Sequence, residues 1–118
     1  MNSRQKGARG EREWRDFLKR EGGYHARRGQ QFSGANGDPD VVCEELDGFV
    51  HMEVKRVENL NLYRAMEQSI ADAEVRGETP VVAHRKNGKP WLVTMRAEDW
   101  LRVTDEWRKA RLKAEKEI

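Results

Sequence analysis

Two apolar segments, Val41-Val42-Cys43 and the stretch from Phe49 to Lys55, flank Asp47-Gly48, a dipeptide that favours a tight reversal of the chain. In the second segment apolar and polar residues alternate. Strand side chains point to opposite faces in turn, so His51, Glu53 and Lys55 share one face while Met52 and Val54 share the other. The pattern predicts a β-hairpin. A turn centred on Leu46-Asp47 pairs positions summing to 93 and sets Asp40 opposite Glu53. A turn centred on Asp47-Gly48 gives a sum of 95 and sets Asp40 opposite Lys55. A three-residue loop on Asp47 without a bulge would turn Asp40 to the far face.

Either tight-turn register brings two acids and a lysine together in the strings Gly37-Asp38-Pro39-Asp40 and Glu53-Val54-Lys55. Such a group can hold a divalent cation with a positive side chain beside it, the minimum apparatus for hydrolysing a phosphodiester. Alternating charges also decorate ordinary half-exposed strands. The convergence of Asp40 with Glu53 and Lys55 is what favours a nuclease.

With 118 residues the chain suits one domain, residues 1–118, with 108–118 as a charged helical tail. Its net charge of +2 conceals an asymmetry, since residues 1–30 carry nine Lys/Arg against four Asp/Glu. A basic N-terminal third suits a polyanionic partner. Cys43 is the only cysteine and sits in an apolar strand, so neither an intrachain disulfide nor a Cys/His zinc site is available. The absence of a long apolar run excludes a membrane span and points to the cytoplasm of a bacterial or phage-infected cell.

Around the hairpin, Trp14, Phe17 and Leu18 lie at helical spacing within residues 4–21, and Gly22-Gly23 ends that helix. Residues 24–28 suit a short strand and 29–38 a Gly-rich surface loop. Leu62, Met66, Ile70 and Ala73 mark a second helix. Strands follow at 80–83 and 91–93, joined through Asn87-Gly88, and a final helix from about Ala97 carries Trp100, Val103 and Trp107. Trp14, Trp100 and Trp107 are expected to pack these helices together. The order αβββαββα implies an α/β fold with a mixed central sheet flanked by helices.

Taken together, PD…ExK in this element order resembles the PD-(D/E)xK nuclease superfamily, and Lys6-Gly7-Ala8-Arg9-Gly10-Glu11-Arg12-Glu13 resembles the first helix of archaeal-type Holliday-junction resolvases. The resemblance implies a restriction-endonuclease-like fold. It also implies that Asp40, Glu53 and the Val54 carbonyl ligate a metal, that Glu11 completes the site, and that Lys55 is the catalytic lysine. The cofactor so implied is Mg²⁺, with Mn²⁺ accepted; the partners are DNA and a second copy of the chain in a homodimer. Gln68, thirteen residues after Lys55, falls where several nuclease families place a polar group against the site. Without the resemblance, Glu11 reads equally as a helix acid paired with Arg15 at i+4, and Glu13 as a solvated neighbour on another face.

Lys6, Arg27 and Arg28 flank the site and suit phosphate contacts, as do Ser33 and Gln30 in the Gly-rich loop. His25 and His51 could touch phosphate or metal, though a strand histidine is more often a hydrogen-bonded bystander. Phe32 and Tyr63 are further stacking candidates. The segment before Asp40 is longer than in the resolvases and uncharged as far as Asp38. Cutting of branched DNA, cutting of flaps or single strands as in the virus-type replication-repair nucleases, and a non-catalytic DNA-binding module therefore all stay open, as does a small interaction protein with no metal affinity.

Overall fold

A computed structural model describes residues 3–30 and 39–117. Helix α1 (Ser3–Gly22) leads into β1 (Ala26–Arg28), β2 (Val41–Cys43) and β3 (Val50–Arg56). After these come α2 (Leu62–Glu74), β4 (Thr79–Arg85), β5 (Leu92–Met95) and α3 (Ala97–Lys116). The five strands form one mixed sheet in the order β1-β2-β3-β4-β5. Only the β3–β4 pair is parallel, because α2 carries the chain back across the sheet between them. The expected αβββαββα order is present in full.

Strand alternation divides the sheet into two faces. On one, Val41, Cys43, Met52, Val54, Val81 and Ala83 pack with Trp14 and Leu18 of α1. Trp14 stacks on Phe17 at 5.4 Å between ring centroids and meets Trp91 at 5.0 Å. On the other, Val82 packs with Ala65 and Met66 of α2. Asn61 caps α2 by accepting a hydrogen bond from the Arg64 amide, and Ser69 Oγ ties the helix to the Val81 carbonyl at 3.0 Å. The face under α2 therefore receives the polar residues of β3.

The register between β2 and β3 pairs Val41 with Met52, the sum-93 arrangement, and continuing it sets Asp40 opposite Glu53. The connection differs from the expected tight turn. A 3₁₀ turn at Glu44–Leu46 precedes Asp47-Gly48, with Gly48 at φ +84°, so six residues separate the strands while the register is kept. Strand β1 starts at Ala26 rather than at Tyr24, whose amide instead reaches back to the Leu18 carbonyl at the end of α1.

Two glycines permit close approaches near Asp40 and β3. A side chain on Gly10 would bring its Cβ within 2.6 Å of the Arg56 Cβ, so α1 lies almost in contact with the end of β3. A Cβ on Gly29 would overlap the Pro39 carbonyl, and the Gly29 amide donates to the Asp40 carbonyl at 2.8 Å.

Helix α3 departs from expectation. Buried Asp99 anchors its first turn by pairing with Arg96 at 2.8 Å and Arg102 at 3.1 Å, and Arg102 reaches Thr79 Oγ1. Beyond that anchor the helix projects: Trp100 is 55% and Trp107 63% exposed, so of the three tryptophans expected to pack helices only Trp14 does so. Periodicity marks an apolar stripe but cannot say whether the same chain covers it.

Candidate active site

Asp40 enters the site from the residue before β2, Glu53 and Lys55 from β3, Gln68 from α2 and Glu11 from α1. With the Val54 backbone, these groups line a cavity of about 530 Å³. Lys6, a phosphate-contact candidate from the sequence, also lines it. The Asp40 carboxylate accepts a 2.8 Å hydrogen bond from the Val54 amide through Oδ2 and has the Glu53 carboxyl beside it. Asp40 is 7% and Glu53 2% exposed. Burial, followed by the Glu53 charge beside it, pushes the Asp40 pKa up to about 7.

Glu11 is turned inward. Its pKa is raised by burial and by Asp40, and its Oε1 accepts from Arg28 Nε at 3.0 Å. Arg15 pairs with Asp16 instead, so the expected alternative of an i+4 pair on the helix surface is not the arrangement observed. Arg28, read as a phosphate contact, spends at least one face of its guanidinium on Glu11, with Nη2 at 2.9 Å. Arg27 is exposed and donates to the Arg28 carbonyl. Lys55 Nζ donates to Gln68 Oε1 at 3.3 Å, which joins these two candidates within the cavity. Glu13 is not solvated as expected: it bridges Arg56 at 3.0 Å and Arg85 at 3.5 Å. Ser33, Phe32 and Asp38 lie outside the described residues.

His51, which the sequence offers as a metal or phosphate contact or as a hydrogen-bonded bystander, is hydrogen-bonded to Glu53. It is fully buried, with Nε2 3.1 Å from Glu53 Oε1 and Nδ1 3.8 Å from Glu78 Oε1. Glu78 is itself held by the Gly48 amide at 3.0 Å. Burial opposes charge on His51, but the Glu53 hydrogen bond and the charges of Glu53, Glu78 and Asp72 outweigh it and raise the imidazole pKa. His51, Glu53 and Asp72 bring potential ligand atoms within 4.8 Å of one another. The available signal was the side shared by His51 and Glu53; Glu78 and Asp72 are remote in sequence. His25, by contrast, is an exposed partner of Glu45 at 2.8 Å.

The donor set fits a hard divalent cation. Glu11, Asp40, Glu53 and Val54 line the cavity and would supply oxygen ligands to such an ion, and the crowded buried carboxyl pair is the kind of site whose repulsion a cation relieves. A bound divalent ion would polarise a phosphate oxygen and lower the pKa of an attacking water.

The strings Pro39-Asp40 and Glu53-Val54-Lys55 thus meet on a five-stranded mixed sheet, the pattern of the PD-(D/E)xK class. Residues 2–117 match the family described as "Phage putative PDDEXK endonuclease", and the chain belongs to that family. Its fold is similar to a solved structure of Archaeoglobus fulgidus Hjc, a Holliday junction resolvase from an archaeal hyperthermophile. The likeness has a TM-score of 0.56 and 26% identity, over 76% of this chain and 72% of that one. No curated protein matches this chain. Among the described residues, no helix is long and apolar enough to cross a membrane.

Proposed function

We propose that this endonuclease-family chain is a divalent-metal-dependent endodeoxyribonuclease, using Mg²⁺ and accepting Mn²⁺, that cuts branched or otherwise structured DNA. The observation that carries the reading is the convergence of Glu11, Asp40, Glu53, Lys55 and Gln68 on one cavity. A module that only binds phosphate has no use for two buried carboxyl groups facing a polyanion. In this reading Asp40, Glu53 and the Val54 carbonyl ligate the cation, with Glu11 completing the shell. Lys55, steadied by Gln68, orients the water or neutralises charge developing on the phosphate. Lys6 and Arg27 contact backbone phosphates, and Arg28 divides its donors between Glu11 and phosphate.

The preference for branched DNA draws support from the fold shared with a junction resolvase. Resolving a junction takes two sites at a fixed spacing, and we assign the second to another copy of this chain. Trp100, Val103 and Trp107 form one exposed stripe of α3 suited to that contact, being 55%, 46% and 63% exposed. The single domain would work in the cytoplasm of a phage-infected bacterium.

Labelled four-way junction, flap, single-stranded and duplex DNA, each incubated with and without Mg²⁺, test the reading, with Asp40→Ala as control. The expected result is Mg²⁺-dependent cutting, fastest on the junction and lost in the variant. Faster cutting of flaps or single strands would redirect the substrate assignment. Binding without cutting would overturn the enzyme.

A further inference from the structure

Several arginines near the sheet are paired with acids within the chain. Glu13 pairs with Arg56 and Arg85, Glu11 with Arg28, and Asp99 with Arg96 and Arg102. Lys6, Arg9, Lys86 and Lys89 are different: all four are exposed, and none has an acidic partner among the described residues. Other described cations, Lys113 and Lys116 among them, also lack an ion pair, but these four line adjoining depressions of the surface.

The path is continuous with the catalytic cavity. A depression of about 510 Å³, walled by Lys6, Arg9, Arg56, Asn59 and Asn87, shares Lys6, Arg56 and Val57 with that cavity. On its other side it shares Val57, Glu58 and Asn59 with a groove of about 710 Å³ that reaches His84, Lys86 and Lys89. The trough thus runs from the active site across the end of β3 to the β4–β5 turn.

Its walls are fixed to the catalytic strand. Arg56, next to Lys55, donates through Nη2 to Asn87 Oδ1 at 2.8 Å and through Nε to Glu13 at 3.0 Å. The Asn87 amide donates to Glu58 Oε2 at 2.8 Å. The turn closes with the Lys89 amide on the Lys86 carbonyl and Gly88 at φ +72°. On the opposite wall, Gly10 sets α1 against Arg56, which holds Arg9 and Lys6 at a set distance from Glu53 and Lys55. The row of unpaired cations, with interspersed amides and with Glu58, the acid between them, tied to Arg56 at 3.6 Å and to the Asn87 amide, complements a phosphate backbone and carries no means of reading bases.

We infer that this trough binds the backbone of the DNA arm flanking the scissile phosphate, with Lys86 and Lys89 as its distal phosphate contacts. The inference rests on the proposed nuclease function and assigns it a second, sequence-independent binding surface. Each phosphate neutralised contributes about 0.9 to the slope of log affinity against log salt.

The test compares full-length protein with Lys86→Glu/Lys89→Glu, and with Lys113→Glu/Lys116→Glu at the far end of α3 as a control of equal charge change. Binding of a labelled four-way junction and of a 30-base-pair duplex is measured from 50 to 200 mM KCl in EDTA, and thermal midpoints verify folding. The turn variant is expected to lose about tenfold or more in affinity and about 1.8 from the salt slope, with little change in the control pair. Equal slopes for wild type and turn variant, or equal losses in both variants, would overturn the trough as a DNA path. Wild-type protein that neither binds nor cuts DNA would instead defeat the nuclease reading, so the two failures are distinguishable.

Discussion

Oδ2 of Asp40 accepts a 2.8 Å hydrogen bond from the amide of Val54, across the two strands whose register brings the acids together. The bond fixes the Asp40 carboxyl beside Glu53, where burial and repulsion raise its pKa to about 7. Asparagine can keep the acceptor while removing the charge. Asp40→Asn is therefore expected to abolish cleavage yet stabilise the metal-free protein by roughly 1–4 kcal/mol at neutral pH. The sign follows from a folded pKa above the unfolded value of a carboxyl group. Ionising Asp40 costs the fold nothing below about pH 4, progressively more up to about pH 7, and a constant amount above. Thermal unfolding in EDTA from pH 4 to 8 should show the advantage of the variant growing over that interval, and a constant difference would contradict it.

His51 is buried between Glu53 and Glu78, its Nε2 3.1 Å from Glu53 Oε1 and its Nδ1 3.8 Å from Glu78 Oε1. Removing an orienting hydrogen bond behind a metal ligand typically costs 10–100-fold in affinity. His51→Leu should weaken Mn²⁺ binding by about that factor in electron paramagnetic resonance titrations, and His51→Gln, which restores a donor, should recover part of it. Equal affinities in folded variants would leave His51 with a packing role alone.

Lys55 lines the cavity beside Gln68 and is proposed to act on the water or the developing phosphate charge, not on the cation. Lys55→Met should lower the single-turnover cleavage rate by about 10²–10⁴-fold while Mn²⁺ affinity falls by less than threefold. A parallel loss of metal binding would place the lysine in the structural support of the site.

Gly10 faces Arg56 with no room for a side chain. Gly10→Val should therefore push α1 away from β3 and destabilise the fold by about 1–3 kcal/mol in urea unfolding. Gly7, whose Cβ position meets nothing within 4 Å, is the matched control, and Gly7→Ala should be nearly neutral. Equal effects at the two positions would remove the close packing from the account.

The stripe on α3 makes a separate prediction about assembly. Wild-type protein should sediment at twice the 13.8 kDa chain mass, and Trp100→Glu/Trp107→Glu should sediment as a monomer with its fold intact. A wild-type monomer at tens of micromolar would rule out the assigned homodimer.

The sequence made the polar face of β3 legible because strand alternation leaves only two choices, and the sum-93 register was one of two tight-turn solutions it offered. The turn itself was misread: Glu44–Leu46 forms a 3₁₀ segment, and nothing local distinguishes that from a two-residue reversal of the same parity. Glu13 looked solvated because its partners, Arg56 and Arg85, are remote in sequence and meet it only once α1 crosses the sheet. The burial of His51 beside Glu78 is likewise not legible locally, since Glu78 comes from the loop before β4. Periodicity identified the apolar face of α3 but not its exposure, which depends on what the rest of the chain leaves uncovered.

Anomalous diffraction from crystals soaked in Mn²⁺ locates the cation directly. One strong peak is expected in the cavity, within about 2.0–2.4 Å of carboxylate oxygens of Asp40 and Glu53 and of the Val54 carbonyl, and it should vanish in Glu53→Gln. A peak elsewhere, or an empty cavity at saturating Mn²⁺, would contradict the metal-dependent mechanism.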